Sequence, residues 1–573
     1  MKRLILFFVF VLGGMVCLGR LVPEQTGPHL LALVPRESFC VLEMRAPGQM
    51  LSALAGTPLG KSLSGLDWSS LLAAFVDGQQ EHDGHGLVGL AALLAKVAND
   101  PGCPLLDTGV LALVPPEAGQ DAPGPRTGSL LILGRLRDRN SGAHLISCLQ
   151  RSAQLQPERT GIFDGYPVLR YQVPKSGPVY LACYRDILII SPVRAVVTQA
   201  ITLARCGMGT ATFSLFGDEF FRRTRGKQTR NLQLAAYVNV LALERVSSRS
   251  LQKKSPASLL TGLTSRGLSK MVWTWRKQGQ EETLAAHVRF RRDALSPLAR
   301  LCSLSQPIRN RELARVPAGM TAYFWSNWFA PASWWQIYLA QAGKNGLRYR
   351  QSVDNVLQKY LSLSTADLTS LFAYEWSVFV TNIKQSAFLP VPRLCLRLGM
   401  INPSFLAALL EKKIASLPHR LDIVADTKVI SLVMAGGLME PSYSFIDRNL
   451  WLFDGYDQVQ YILQPGQERM IQEPAFQRVA EDAGQTANLQ FFVRMKPVAE
   501  GLLDLNSWLG TVVNTPWSRR NRLLLDRLAA PLAKTLAGAE SMFVSAKIQG
   551  NEFETQARLL FTSGAEQGEE DNE

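Results

Sequence analysis

Apolar and polar residues alternate with period two through residues 271–290. Met271, Trp273 and Trp275 lead to a turn at Gln278-Gly279, and Leu284, Ala286, Val288 and Phe290 return from it. The same pattern recurs near the end of the chain. There Met542, Val544, Ala546 and Ile548 precede Gln549-Gly550, and Phe553, Thr555, Ala557, Leu559 and Phe561 follow. Period two puts successive side chains on opposite faces, so each run predicts a β-hairpin with one buried and one solvated face. Shorter apolar runs predict strands at 39–42, 109–114, 129–136, 168–173, 179–183 and 187–190, then at 322–325, 376–382, 392–398, 429–434, 443–446 and 450–453.

Helical spacing lies between these runs. Asn402-Pro403 places a capping side chain before a proline suited to the first helical position, and Leu406, Leu409, Leu410 and Ile414 then share one face. Leu145, Cys148 and Leu149 repeat that spacing after Asn140 and Ser141. Further helices are predicted at 87–97, 193–203, 353–363 and 456–463, with apolar helical positions also at Leu51, Leu54, Leu71, Leu72 and Phe75 and around Trp334, Trp335 and Tyr338.

The two halves share landmarks in one order. Leu31-Ala32-Leu33-Val34-Pro35 returns as Leu313-Ala314-Arg315-Val316-Pro317, and Asn231-Leu232-Gln233 returns as Asn488-Leu489-Gln490, each of these triplets opening a strand that leads to a helix before the closing hairpin. The expected architecture is α+β: two tandem copies of a module in which a mainly antiparallel sheet packs against helices. The first copy is placed at 30–293 and the second at 313–563, joined by a linker at 294–312 and followed by an acidic tail at 564–573 read as disordered. A chain of 573 residues exceeds what one hydrophobic core usually serves, which agrees with two domains.

The N-terminus bears on location. Lys2-Arg3 precedes an apolar run from residue 4 to 18, which reads as a secretory leader or, extended to residue 22, as an anchor in the bacterial inner membrane. Either way, residues 1–22 direct the protein to the periplasm or cell envelope. The 61 Lys and Arg against 47 Asp and Glu give a net charge of +14, which favours anionic surfaces. Export removes nucleic acid from the expected partners. It leaves an envelope protein, an anionic membrane surface or a small apolar ligand. The cysteines beyond the leader are odd in number and contain no C-x-x-C, so most read as buried small hydrophobes, with room for one bridge that the sequence does not assign.

Candidate chemistry is sparse. Residues 56–62 read G-T-P-L-G-K-S, one residue short of a phosphate loop and preceded by a helical pattern, so the amide cradle would not form. Glu81-His82-Asp83-Gly84-His85 could ligate a metal, but a structural site needs further ligands and supporting partners. It reads as a solvated connector. No nucleophile elbow is present, and no catalytic residue, cofactor or metal is assigned.

Two features could carry interactions. Trp325, Trp328, Trp334 and Trp335 belong to an aromatic density that the first half lacks, which reads as the core of the second half or, alternatively, as a lipid-facing belt, a glycan platform or an interdomain contact. Arg222, Arg223, Arg225 and Lys227 crowd a connector, which reads as a solvated face or, alternatively, as a dock for an anionic membrane surface.

The leader, the opening Val-Pro strand, the Thr57-Pro58-Leu59-Gly60 element and the α+β order resemble a family of exported bacterial proteins defined by a domain of unknown function. The resemblance implies an envelope location and transfers no activity or site residue. The expected role is therefore a non-catalytic binding or scaffold protein, with a lipid carrier or sensor second and a hydrolase third.

Overall fold

A computed structural model describes residues 29–45, 106–115, 129–136, 146–147, 156–173, 177–206, 213–226, 232–242, 267–291, 295, 297–385, 390–434, 440–464, 466, 468–481, 483–501, 503 and 537–561. The leader, the 56–62 and 81–85 motifs, the helices expected at 87–97 and around Leu145, and the acidic tail lie outside these residues. The chain divides into two compact units. The first runs to Lys254 and adds Leu268–Gln278 and Leu284–Arg289; the second comprises the remainder. The fold is α+β with a mainly antiparallel sheet.

In the first unit β1 (Cys40–Arg45) lies between β2 (Leu106–Val114) and the later β8 (Leu232–Asn239). From β2 the ladder continues through β3 (Ser129–Leu136) to β7 (Ile187–Ser191). It then runs back through β6 (Gly177–Tyr184) and β5 (Tyr166–Val173) to β4 (Glu158–Phe163). On the other side β8 pairs with β9 (Leu268–Gln278), which pairs with β10 (Glu281–Phe290). One face carries α1 (Arg194–Cys206) and α2 (Glu219–Gly226), whose Val197, Ile201, Phe220 and Phe221 close a core with Val41, Leu133 and Ile189. The opposite face is apolar too: Leu42, Leu111, Ile132 and Ile190 stand in one register row, all buried. Burial on both faces is why β3 and β7 read as continuous apolar runs.

The second unit opens with α3 (Pro297–Leu304) and the short β11 (Ile308–Arg309), both within the stretch expected as a linker. Here β12 (Ala322–Ser326) lies between β13 (Phe372–Gln385) and the later β20 (Leu489–Arg494). The ladder runs on through β14 (Pro390–Met400), β18 (Asn449–Phe453), β17 (Ser442–Ile446), β16 (Thr427–Leu432) and β15 (His419–Val424). On the other side β20 pairs with β21 (Ala539–Gln549) and β21 with β22 (Glu552–Phe561), while β19 (Thr486–Ala487) pairs with β11. Apart from β11 and β19, the order of pairing is that of the first unit.

Helices cover both faces of the second unit's sheet. α8 (Tyr456–Leu463) and α9 (Pro474–Val479) bury Val459, Ile462 and Phe476 against Tyr323, Phe379 and Phe492. On the reverse, α4 (Pro331–Gln341), α5 (Gly346–Leu361), α6 (Thr365–Ser370) and α7 (Pro403–Ile414) lie along the chain around a second cluster of Leu398, Met400, Leu406 and Tyr443. The α7 start follows the sequence: Asn402 accepts from the Phe405 N–H and Pro403 takes the first helical position.

The expectation of one solvated face per hairpin is corrected, because side chains are buried or half-buried on both faces. In β9, Val272 and Thr274 are buried where Met271, Trp273 and Trp275 were expected, and Leu284 of β10 is exposed. In β21, Phe543 is buried with Tyr323 and Phe492, while Met542 packs on the other face with Ala322 and Val493. Four strands, β4, β11, β15 and β19, were not anticipated.

Both Val-Pro landmarks do the same job. The Val34 and Val316 carbonyls accept from the Leu215 and Met470 N–H groups at 2.8 and 2.9 Å, and Pro35 and Pro317 bridge Ser214 and Arg469. A residue before proline is held extended, which suits a one-residue bridge.

Candidate interaction surface

The site residues expected from sequence separate in the structure. Trp325 is fully buried, in a cluster with Tyr323, Phe379, Trp451 and Phe453. Its indole N–H donates to Glu375 Oε2 at 3.3 Å, so it belongs to the core and not to a surface. Trp328 and Trp335 are half-buried, and Trp334 is 40% exposed.

The basic cluster also divides. On α2, Arg222 and Arg223 are exposed, while Arg225 lies on the buried face with Phe221 and Thr224. Its Nε and Nη2 donate to Glu43 Oε2 and Oε1 at 2.9 and 2.8 Å, a bidentate pair inside the first unit. Arg225 therefore leaves the expected docking patch, and Lys227 lies outside the described residues.

Glu43 and Arg225 share their site with His29. Its Nδ1 accepts from the Leu31 N–H at 3.3 Å, and Nε2 meets Arg225. Burial pushes His29 down to about 4; Glu43 opposes that shift, and Arg225, Arg45 and Arg135 add to it. The imidazole is thus neutral at pH 7. Nearby, Asp218 accepts from the Phe221 N–H at 3.0 Å, starting α2, and pairs with Lys270. These charges tie strands to helices.

In the second unit the buried polar residues brace the chain in the same way. Asn488 Nδ2 donates to the Ser305 carbonyl at 3.0 Å and to Asn327 Oδ1 at 2.9 Å, and its Oδ1 accepts from the Ile548 N–H at 2.9 Å. Gln490 Oε1 accepts from Asn310 at 2.9 Å. The Asn-Leu-Gln landmark is thus a clamp on the segment leading into β12. Among the described residues no three His, Cys, Asp or Glu side chains group as metal ligands.

What stays open is the outer face of α4 and α5. On α5, Tyr349, Val353, Val356 and Tyr360 recur at helical spacing and form one stripe. All four are exposed, Val356 by 57% and Tyr360 by 60%. An adjoining side is engaged: Leu361 packs on the core, and Asp354 accepts from the Thr365 N–H at 2.7 Å, tying α5 to the start of α6. Tyr338 of α4, 50% exposed, carries the surface across, its ring 6.3 Å from Tyr349 and stacked 5.5 Å from Trp335. Trp334 continues it, its indole N–H donating to the Trp328 carbonyl at 3.2 Å. Gly346 sets the corner between the helices, because a Cβ there would come within 2.4 Å of the Leu339 carbonyl oxygen.

Basic residues rim this surface. On a helical wheel Arg348 and Lys359 flank one side of the stripe and Arg350 the other. The Lys359 ammonium lies 5.3 Å from the Tyr360 ring centroid. Sequence analysis missed the stripe because its residues are scattered singly among polar ones; the spacing of Tyr349, Val353, Val356 and Tyr360 carried the signal.

No family model matches the chain, and no curated protein does. Among solved structures it is similar to TP0453 in crystal form III, at TM-score 0.23 and 9% identity over 47% of this chain and 81% of that one. Crystal form IV gives TM-score 0.22 at 9% identity over 46% and 81%. A likeness at that level carries no argument about fold or function.

Proposed function

We propose that this protein is a non-catalytic docking protein of the bacterial cell envelope, built from two tandem copies of one α+β module, whose second copy presents the docking face. The observation that carries the docking reading is the open apolar stripe on α5 with Tyr338 and Trp334 beside it. Soluble proteins rarely leave contiguous large apolar side chains uncovered without an interaction to serve. The described buried charges support the non-catalytic part, since Glu43, Arg225, Asp218 and Glu312 are each spent on a neighbouring element of the fold. The duplication is supported by the common pairing order and by the paired Val-Pro bridges. The envelope location rests on the leader and on the family resemblance.

The test is a photo-crosslinking side chain placed at Val356 of the full chain in living cells, with Asp426, in an exposed turn, as control. A docking face gives adducts at Val356 well above those at Asp426. Equal yields at the two positions overturn the reading.

A further inference from the structure

We infer that the α4–α5 face seats in the interface of an anionic lipid bilayer, which gives the proposed docking face its partner and rests on that reading. The apolar stripe is convex, on the outside of a helix, and so is shaped to enter a soft medium. It combines Trp and Tyr rings with Val side chains. Aromatic rings with a polar edge are the side chains that settle at headgroup depth.

Charge selects the kind of lipid. Arg348, Arg350 and Lys359 rim the stripe, with Asp354 as the acid on the same helix. Asp354 is committed to Thr365, with Arg350 Nε at 3.6 Å, which leaves the rim positive. A helix with this division of apolar stripe and basic flanks lies in the plane of the interface. No described helix is long and apolar enough to cross a membrane, so the proposed contact is a surface one. Protein partners are less well matched, because recognition of a helix face by a folded protein usually seats it in a groove, where a uniform basic rim gives no register.

The full chain is mixed with vesicles of equal parts phosphatidylcholine and phosphatidylglycerol, and with vesicles of phosphatidylcholine alone, and bound protein is measured by flotation. Binding is expected to the anionic vesicles, weakening with added salt. Val353→Asp with Val356→Asp is expected to reduce it at least about tenfold, since apolar burial drives interfacial binding. Arg348→Gln and Lys359→Gln are expected to cost about fivefold each at low salt, the ~1 kcal/mol of a basic residue near such a surface. All four positions are on the exposed helix, so circular dichroism of the variants should match the parent. With bromine-labelled acyl chains, Trp334→Phe should remove part of the fluorescence quenching seen on binding.

Equal binding to both vesicle types, or anionic binding untouched by the paired Asp substitutions, overturns the inference. So does self-association abolished by those substitutions, which would make the face a seat for a second copy. Adducts from Val356 to residues 504–536 of the same chain would assign it to an internal segment and overturn it too. A protein adduct at Val356 without vesicle binding would remove the lipid and keep the docking face, whereas no adduct at Val356 would remove the docking face itself.

Discussion

Glu43 and Trp325 occupy the fourth position of β1 and β12, strands that each lie between two neighbours, and they fill it in opposite ways. In the first unit a carboxylate points into the interior, and Arg225, reached from α2, neutralises it with two hydrogen bonds. In the second an indole takes the place, enclosed by Tyr323, Phe379 and Trp451. Both close the end of a core between sheet and helices. The ionic version depends on a partner, because a buried charge is tolerated only while paired. The aromatic version depends on shape, because its stabilisation is area removed from water. One pairing order thus accepts either chemistry, provided each interior is satisfied by its own rule.

The largest effects should come from emptying that position. Glu43→Ala strands Arg225 in the interior and should cost the first unit about 3–5 kcal/mol. Trp325→Ala should cost the second a comparable ~3–5 kcal/mol through cavity formation. The two cases part at the next step. Glu43→Leu combined with Arg225→Met should recover most of the first loss, whereas substituting Glu375, the indole's acceptor, should recover none of the second. Amide exchange of β1 and β12 read separately reports each unit, and failure of the paired substitution to restore β1 protection would contradict the ionic account.

Acid should sharpen the contrast with a somewhat smaller effect. His29 is held at about 4 in the fold against an ordinary value near 6.5. Above pH 6.5 it is neutral folded or unfolded and contributes nothing to the pH dependence. As pH falls from 6.5 to 4 the unfolded chain gains a proton that the folded chain refuses, so stability falls and then levels off below 4. The ceiling on that loss is about 3 kcal/mol, reduced because the side chain is still 29% exposed. β1 amides should lose protection over this window, and His29→Gln should flatten the slope. An unchanged slope in the variant would assign it elsewhere.

The smallest effect in this series concerns the clamp. Asn488→Ala strands the Ile548 N–H and the Ser305 carbonyl, costing about 2 kcal/mol. It should fall on the second unit alone, seen as earlier urea unfolding of β20 and β21.

How far the sequence was readable follows the same physics. Strands β3 and β18 and helix α7 stood out, because burial or helical spacing leaves a direct trace in residue type. Strand β4 was missed although Asp164-Gly165, both with positive φ, joins it to β5 as a tight hairpin turn of a recognisable kind. Its partner β15 turns at Ala425-Asp426, also with positive φ, where residue type gives much weaker notice. Asn-Leu-Gln matches in sequence but not in register: Leu489 stands opposite Ser326, whereas Leu234, not Leu232, stands opposite Met44. Arg225 and Trp325 were misplaced on the surface because charge and aromaticity mark both interfaces and interiors. Only the face of α2 or the inward side of β12 separates the two.

The position of β1 has a consequence for how the protein comes into being. Cys40 pairs with Val238, so β1 leaves the ribosome roughly two hundred residues ahead of one of its neighbours, an interval of about 10–40 s at ordinary rates of synthesis. Until β8 arrives, one margin of the central strand stays open to wrong partners. The same delay is written into β12 and β20. The central strand of each unit thus waits long for its second neighbour, which leaves the nascent chain more open to mispairing than the mature one.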